Sequence, residues 1–300
     1  MNTAEATPER LNINEMSLEQ KKLLMQSTYT EKSYFQRLFN QDQLDLPCKP
    51  HALAFRQEIE RILIGNNLIS HAMPLENLHE VMSDDMRAYN FDDGVNKIST
   101  YFYDTDAQFK AVYYRFIGFV RENYVKEPFW FQATPTIRIH CPDARNSHHY
   151  PRYHSDISYG HPPQEINFWL PLTDILSGHG FRVMSLESSV NALKKFDYDF
   201  SAFIHSAIQD KDFSKHCESL AKPAPTEFGN VLAFDSRCIH SGEPLKKHTR
   251  ISMDIRVLPL SQYKNMDVQY QGSGRRKIIF APGHCYHEQN SDYFLNYTGK

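Results

Sequence analysis

The sequence predicts a mainly β protein with flanking helices, built on an antiparallel jelly-roll core that follows a helical half. Three observations carry this. Apolar residues recur at helical spacing through much of the first 130 residues. From Phe131 onward the apolar period falls towards two. The short runs that result are separated by turn residues, without the strand–helix alternation of a parallel sheet. A chain of 300 residues can fold as one domain without disulfides or structural metals.

The elements follow in order. Residues 51–66 (HALAFRQEIERILIGN) place Leu53, Ile59, Ile62 and Leu63 at helical spacing. A second helix is expected from about Asp106 to Glu122, with Phe109, Val112, Tyr113, Phe116 and Val120 on one side. Residues 133–140 (ATPTIRIH) alternate, with Thr134, Thr136, Arg138 and His140 opposite Ile137 and Ile139. Strands are also expected at 165–174 (EINFWLPLTD), 180–188 (GFRVMSLES), 229–236 (GNVLAFDS) and 249–258 (TRISMDIRVL). Residues 191–221 interrupt them as a mixed-charge helical insertion, a candidate lid or homodimer contact. The core is thus expected at 131–258, after a helical part at 1–130 and before a tail at 259–300 that shows no pattern.

Composition narrows the function classes. The net charge of −3 offers no electrostatic case for nucleic acid or an anionic membrane. Five scattered cysteines without a Cys-x-x-Cys pair favour reduced thiols in the cytoplasm over a disulfide framework or a thiolate zinc site. The N-terminal residues lack the basic patch and apolar run of a signal peptide, and no run reaches the ~18 apolar residues of a membrane span. No zinc-protease helix, nucleophile elbow, phosphate loop or dinucleotide-binding glycine pattern occurs.

The chemistry concentrates in RYHSDIS. Two residues apart on a strand, His154 and Asp156 leave one face with Cα atoms about 6–7 Å apart, close enough to share a metal ion. About one His-x-Asp is expected by chance in a chain of this composition, so context must decide. The rival His216-x-Glu218 sits in a helical pattern, where positions two apart point about 200° away from each other. His240 ends the run GNVLAFDSRCIH and supplies a second imidazole. Two histidines and one carboxylate leave three positions open on iron(II), enough for a bidentate 2-oxo acid and O2. Arg250, ten positions on, returns to the same end of the sandwich, and its planar fork suits the far carboxylate of 2-oxoglutarate.

This order, His154-Ser-Asp156, then His240, then Arg250, resembles the signature of the iron(II)/2-oxoglutarate-dependent oxygenase superfamily. EINFWLPLTD, the Gly229–Phe234 run and TRISMDIRV make the phytanoyl-CoA-dioxygenase-like branch the nearest match, and within it oxygenases of the streptomycin-biosynthesis type. The resemblance spans residues 131–258. It implies a double-stranded β-helix (cupin-like jelly roll), a metal triad of His154, Asp156 and His240, and iron(II), 2-oxoglutarate and O2 as cofactor and co-substrates. Family halogenases lack the carboxylate ligand, so Asp156 implies hydroxylation or a related oxidation.

Several residues stand one step back. Arg256 shares a strand face with Arg250 but lies about 20 Å along it, so both cannot hold one diacid. Arg250 is expected nearer the iron, and Arg256 is expected to partner Asp254 or another buried carboxylate. Asn167 is a candidate co-substrate contact or a polar group satisfied within the sheet. Arg138 is a candidate carboxylate contact or a surface ion pair. His148, His149, Tyr150 and Tyr153 lead into the metal strand, and GHCYH (His284, Cys285, His287) is expected not to bind metal. The leading reading is oxidation of a small metabolite such as an amino acid or natural-product intermediate. A protein or peptide side-chain hydroxylase and a non-catalytic jelly-roll binding protein are the alternatives.

Overall fold

The computed structural model describes residues 9–12, 15–30, 32–90, 95–147, 153–175, 180–224, 226–243, 246–263, 268–271 and 285–288. Two short helices, α1 (Leu18–Thr28) and α2 (Tyr34–Phe39), each open on a capping box. Ser17 with Gln20, and Ser33 with Gln36, satisfy one another's backbone donors. Strand β1 (Gln43–Pro47) follows, then α3 (Lys49–Gly65) and α4 (Ala107–Val120), whose first turn is capped by Asp106.

The remaining strands build two sheets. In chain order they are β2 (Phe129–Gln132), β3 (Thr136–His140), β4 (Ile166–Pro171), β5 (Phe181–Val183), β6 (Lys222–Pro223), β7 (Asn230–Asp235), β8 (His240–Gly242), β9 (Arg250–Pro259) and β10 (Tyr286–Glu288). A seven-stranded antiparallel sheet runs β10-β2-β9-β4-β7-β1, and β3 also pairs with β9, on the edge that β2 uses. A three-stranded antiparallel sheet runs β6-β5-β8. Separately, Glu9–Asn12 and Val268–Gln271 form a parallel pair.

The large sheet is buried on both faces, so its strands alternate between two apolar clusters. Ile137, Ile139, Phe168, Met253 and Val257 join Phe55, Ile59, Leu63, Phe109 and Phe116 of α3 and α4. Trp169, Leu232 and Phe234 join Phe181 and Val183 of the small sheet and the insertion helices α5 (Leu186–Lys194), α6 (Phe200–Gln209) and α7 (Lys211–Leu220). Full burial of each such side chain contributes roughly 1.5–3 kcal/mol.

Sheets with flanking helices are as expected, although helices hold more of the described residues than strands do. Three further details depart from the expectation. Leu53 is 45% exposed, because the buried stripe of α3 runs through Ala52, Phe55, Ile59, Ile62 and Leu63. The expected strand at 180–188 stops at Val183, because Ser185 caps α5 by accepting from the Ser188 N–H. The outer strands β1 and β10 come from beyond 131–258; β1 pairs with β7, and β10 with β2. No helix among the described residues is long and apolar enough to cross a membrane.

Candidate metal centre

Among the described residues, one group of three could hold a metal ion: His154, Asp156 and His240, with ligand atoms within 4.8 Å of one another. The expected strand at His154 is a single bridge. His154 and His240 each donate their N–H to the other's carbonyl, at 3.1 and 2.8 Å, which ties the ligand loop to β8. Asp156 opens a short 3-10 helix (Asp156–Tyr159). Ser155 between them is extended (φ −110°, ψ 157°), which is enough to send both side chains to one side. Asp156 Oδ1 then lies 3.9 Å from His154 Nε2 and 3.7 Å from His240 Nε2.

Protonation favours ligation. The Cys238 carbonyl, 3.0 Å from His240 Nδ1, can only accept, so the proton sits on Nδ1 and Nε2 presents its lone pair. Burial pushes the His240 pKa down against the pull of Asp156, which keeps the ring neutral. Burial alone would raise the Asp156 carboxyl, but the Arg256 charge and hydrogen bond, with the His240 and His161 imidazoles nearby, outweigh it. Asp156 is therefore held well below the usual carboxylate range. Aromatic walls fix the imidazoles: Tyr159 meets His154 edge-on at 5.1 Å, and Phe234 and Phe181 lie 5.1 and 5.6 Å from His240.

The triad faces a cavity of about 210 Å³ that also reaches Arg138, His140, Asn167, Trp169, Arg250, Asp254 and Arg256. Arg250 is fully buried, with its guanidinium carbon 6.0 Å from the Trp169 ring centre. Gly242, two residues past His240, gives this guanidinium its space; a Cβ there would come within 2.9 Å of Nη2. Ser252 Oγ, next on the same face of β9, and Trp169 Nε1 are buried without a hydrogen-bond partner among the described residues. These groups form a polar cradle beside the metal ligands, fit for an anionic chelator.

The second-rank residues fall within the alternatives that the sequence leaves open. Arg256 Nε donates to Oδ2 of the candidate ligand Asp156 at 2.8 Å. Arg256 thus does partner a buried carboxylate, as anticipated, and that carboxylate is one of the three candidate ligands. Asn167, considered for the co-substrate or the sheet, donates to the same Oδ2 at 2.7 Å. Arg138 lines the cavity and pairs with Asp254. His216 lies 2.8 Å from Lys195 Nζ, and Glu218 pairs with Arg182, so helix α7 commits its His-x-Glu elsewhere.

Tyr153 is buried in the second apolar cluster; His148, His149, Tyr150 and His284 lie outside the described residues. Within GHCYH, His287 meets the Phe131 ring, and Tyr286 donates to buried Glu165, which lies 3.1 Å from His161 Nδ1. Sequence reasoning missed this cluster and the meeting of Asn167 and Arg256 on one oxygen of Asp156. The one available signal was that Asn167 and Arg256 each alternate onto a strand face opposite apolar neighbours.

Fold and site together define a candidate mononuclear centre of two histidines and one carboxylate, between an antiparallel sheet and a smaller one. The chain is similar to streptomycin biosynthesis protein StrG of Streptomyces griseus, 25% identical over 203 residues that cover 67% of this chain and 82% of StrG. That is the type of relative the motifs resemble. No family model matches. Distant likenesses include HygX of Streptomyces hygroscopicus with nickel and 2-oxoglutarate bound (TM-score 0.41, 13% identity, 76% of this chain and 85% of that one). Another is the non-heme alpha-ketoglutarate-dependent carbocyclase SnoK from nogalamycin biosynthesis (TM-score 0.37, 13% identity, 83% and 87%).

Proposed function

We propose that this chain is a non-haem iron(II)/2-oxoglutarate-dependent oxygenase that oxidises a C–H bond of a small polar metabolite in a natural-product pathway. One observation carries the reading: the His154–Asp156–His240 set and buried Arg250 share one cavity. Three ligands leave coordination positions for a chelating co-substrate, and Arg250 offers a charged fork for its far carboxylate. Bound iron, 2-oxoglutarate and O2 would supply the oxidising power, with release of succinate and CO2.

The protein's own part is to hold the ligand atoms, exclude water and orient the substrate. His240 presents Nε2, Asp156 stays ionised, and the Trp169–Phe181 stack (4.6 Å) dries the wall beside Arg250. Arg138, Asp254 and Tyr159 give the substrate side a polar lining, which suits a small polar molecule. The pathway reading leans on the name of the StrG relative, and the two facing antiparallel sheets support a jelly roll. The five unpaired cysteines fit a cytoplasmic setting.

The test adds iron(II) and 2-oxoglutarate to purified protein without oxygen. A visible charge-transfer band is expected, absent in Asp156→Ala and His240→Ala, followed on aeration by succinate release. Neither band nor retained iron in the wild type would favour a non-catalytic binding protein. Arg250→Ala is expected to keep metal binding and raise the 2-oxoglutarate requirement by about 100-fold, as loss of a buried charged partner does.

A further inference from the structure

The two oxygens of Asp156 have separate surroundings. Oδ1 faces both ligand imidazoles, at 3.9 and 3.7 Å. Oδ2 turns away and accepts two hydrogen bonds, from Asn167 Nδ2 at 2.7 Å and Arg256 Nε at 2.8 Å. Those two bonds take up both lone pairs of Oδ2. If Oδ2 swung onto the metal, two buried donors, one of them charged, would lose their acceptor, which is costly in a dry interior.

The donors are also fixed in place. Asn167 on β4 and Arg256 on β9 are direct partners in the antiparallel register, so their side chains leave neighbouring points on one face. Arg256 is anchored at its far end as well, with Nη1 donating to Gln132 Oε1 at 3.2 Å.

From this geometry, and resting on the metal-site reading above, we propose that Asn167 and Arg256 are positioning residues that hold Asp156 to one-point coordination through Oδ1. A carboxylate free to bind through both oxygens would, beside two imidazoles and a bidentate co-substrate, occupy the position that O2 requires. The pair would thus keep the metal open, a task distinct from the co-substrate grip assigned to Arg250.

The experiment measures nickel(II) binding calorimetrically in the absence of 2-oxoglutarate and, separately, the 2-oxoglutarate requirement for succinate release at saturating iron. The proteins are wild type, Asn167→Ala, Arg256→Lys and Arg250→Lys. Loss of a ligand's outer partner is expected to weaken nickel binding about 10- to 100-fold in Asn167→Ala, and less in Arg256→Lys, which keeps the charge. Their 2-oxoglutarate requirement should stay within about threefold of wild type, while Arg250→Lys shows the reverse split. Cobalt(II) loaded into Asn167→Ala should give weaker d–d bands than in the wild type, as its coordination number rises; a merely structural role would leave them unchanged. Unaltered nickel affinity in both folded variants, or an Arg256→Lys requirement as steep as that of Arg250→Lys, would overturn the clamp and leave the metal site standing. Failure of the wild type itself to bind nickel would overturn both.

Discussion

A lone His-x-Asp proves little, yet here the pair was legible because its chemistry is local: an extended Ser155 is all that His154 and Asp156 need to share a side. The role of Arg256 was not legible, because it depends on which strand lies across from Asn167, a pairing 89 positions distant that no local period encodes. His140 shows the same limit and gives a test at this scale. It alternates with Ile139 as read, but only the fold reveals that it is buried 2.7 Å from the Tyr89 hydroxyl and beside Arg250. Burial, then Arg250 and Arg138, pushes its pKa well below the ordinary range. The sign follows: the unfolded chain binds a proton that the folded chain refuses, so stability present above about pH 6.5 is lost as pH falls. As pH falls below about 6.5 the loss from this site approaches about 1.4 kcal/mol per pH unit. His140→Gln is expected to flatten the slope of unfolding free energy against pH by that amount, and parallel slopes in denaturant titrations would refute it.

At the scale of elements, alternation read the faces of β3, β4 and β9 correctly, since a sheet buried on both sides still separates the polar and charged residues from the apolar, helix-facing side. Ends were harder. Val183 closes β5 because a serine two residues on finds a helix N-terminus to cap, a competition between hydrogen bonds that side-chain period does not register. The close approach of β8 to the start of β9 holds the element-level test. Gly242 lies against the Arg250 guanidinium, and the added methyl of Gly242→Ala would press on Nη2. The expected result is a 2-oxoglutarate requirement raised about tenfold or more, because small misplacements of a binding group are costly. Nickel affinity should be untouched, since neither residue belongs to the candidate ligand set. A variant with a normal requirement would mean that Arg250 does not serve the co-substrate.

At the scale of the molecule, what could not be read was how the pieces close. The strands were expected within 131–258, whereas β1 and β10, from either side of that range, complete the large sheet. One sheet separates the two apolar clusters and contributes side chains to both: Phe168 faces the helices α3 and α4, while Trp169 faces the small sheet and the insertion. Neither cluster can lose its share of that sheet without stripping the other, so the chain should unfold as one unit. Phe55 in the first cluster and Phe203 in the second are both fully buried, and truncation of either to alanine should cost about 3–5 kcal/mol. Phe55→Ala and Phe203→Ala are each expected to lower a single thermal transition, seen alike by circular dichroism and by tryptophan fluorescence, to which Trp169 reports from the second cluster. If Phe203→Ala instead produced an early separate step in fluorescence alone, the insertion would be an independently folding unit. It would then be a candidate for motion over the cavity, and the shared sheet would not couple the two clusters.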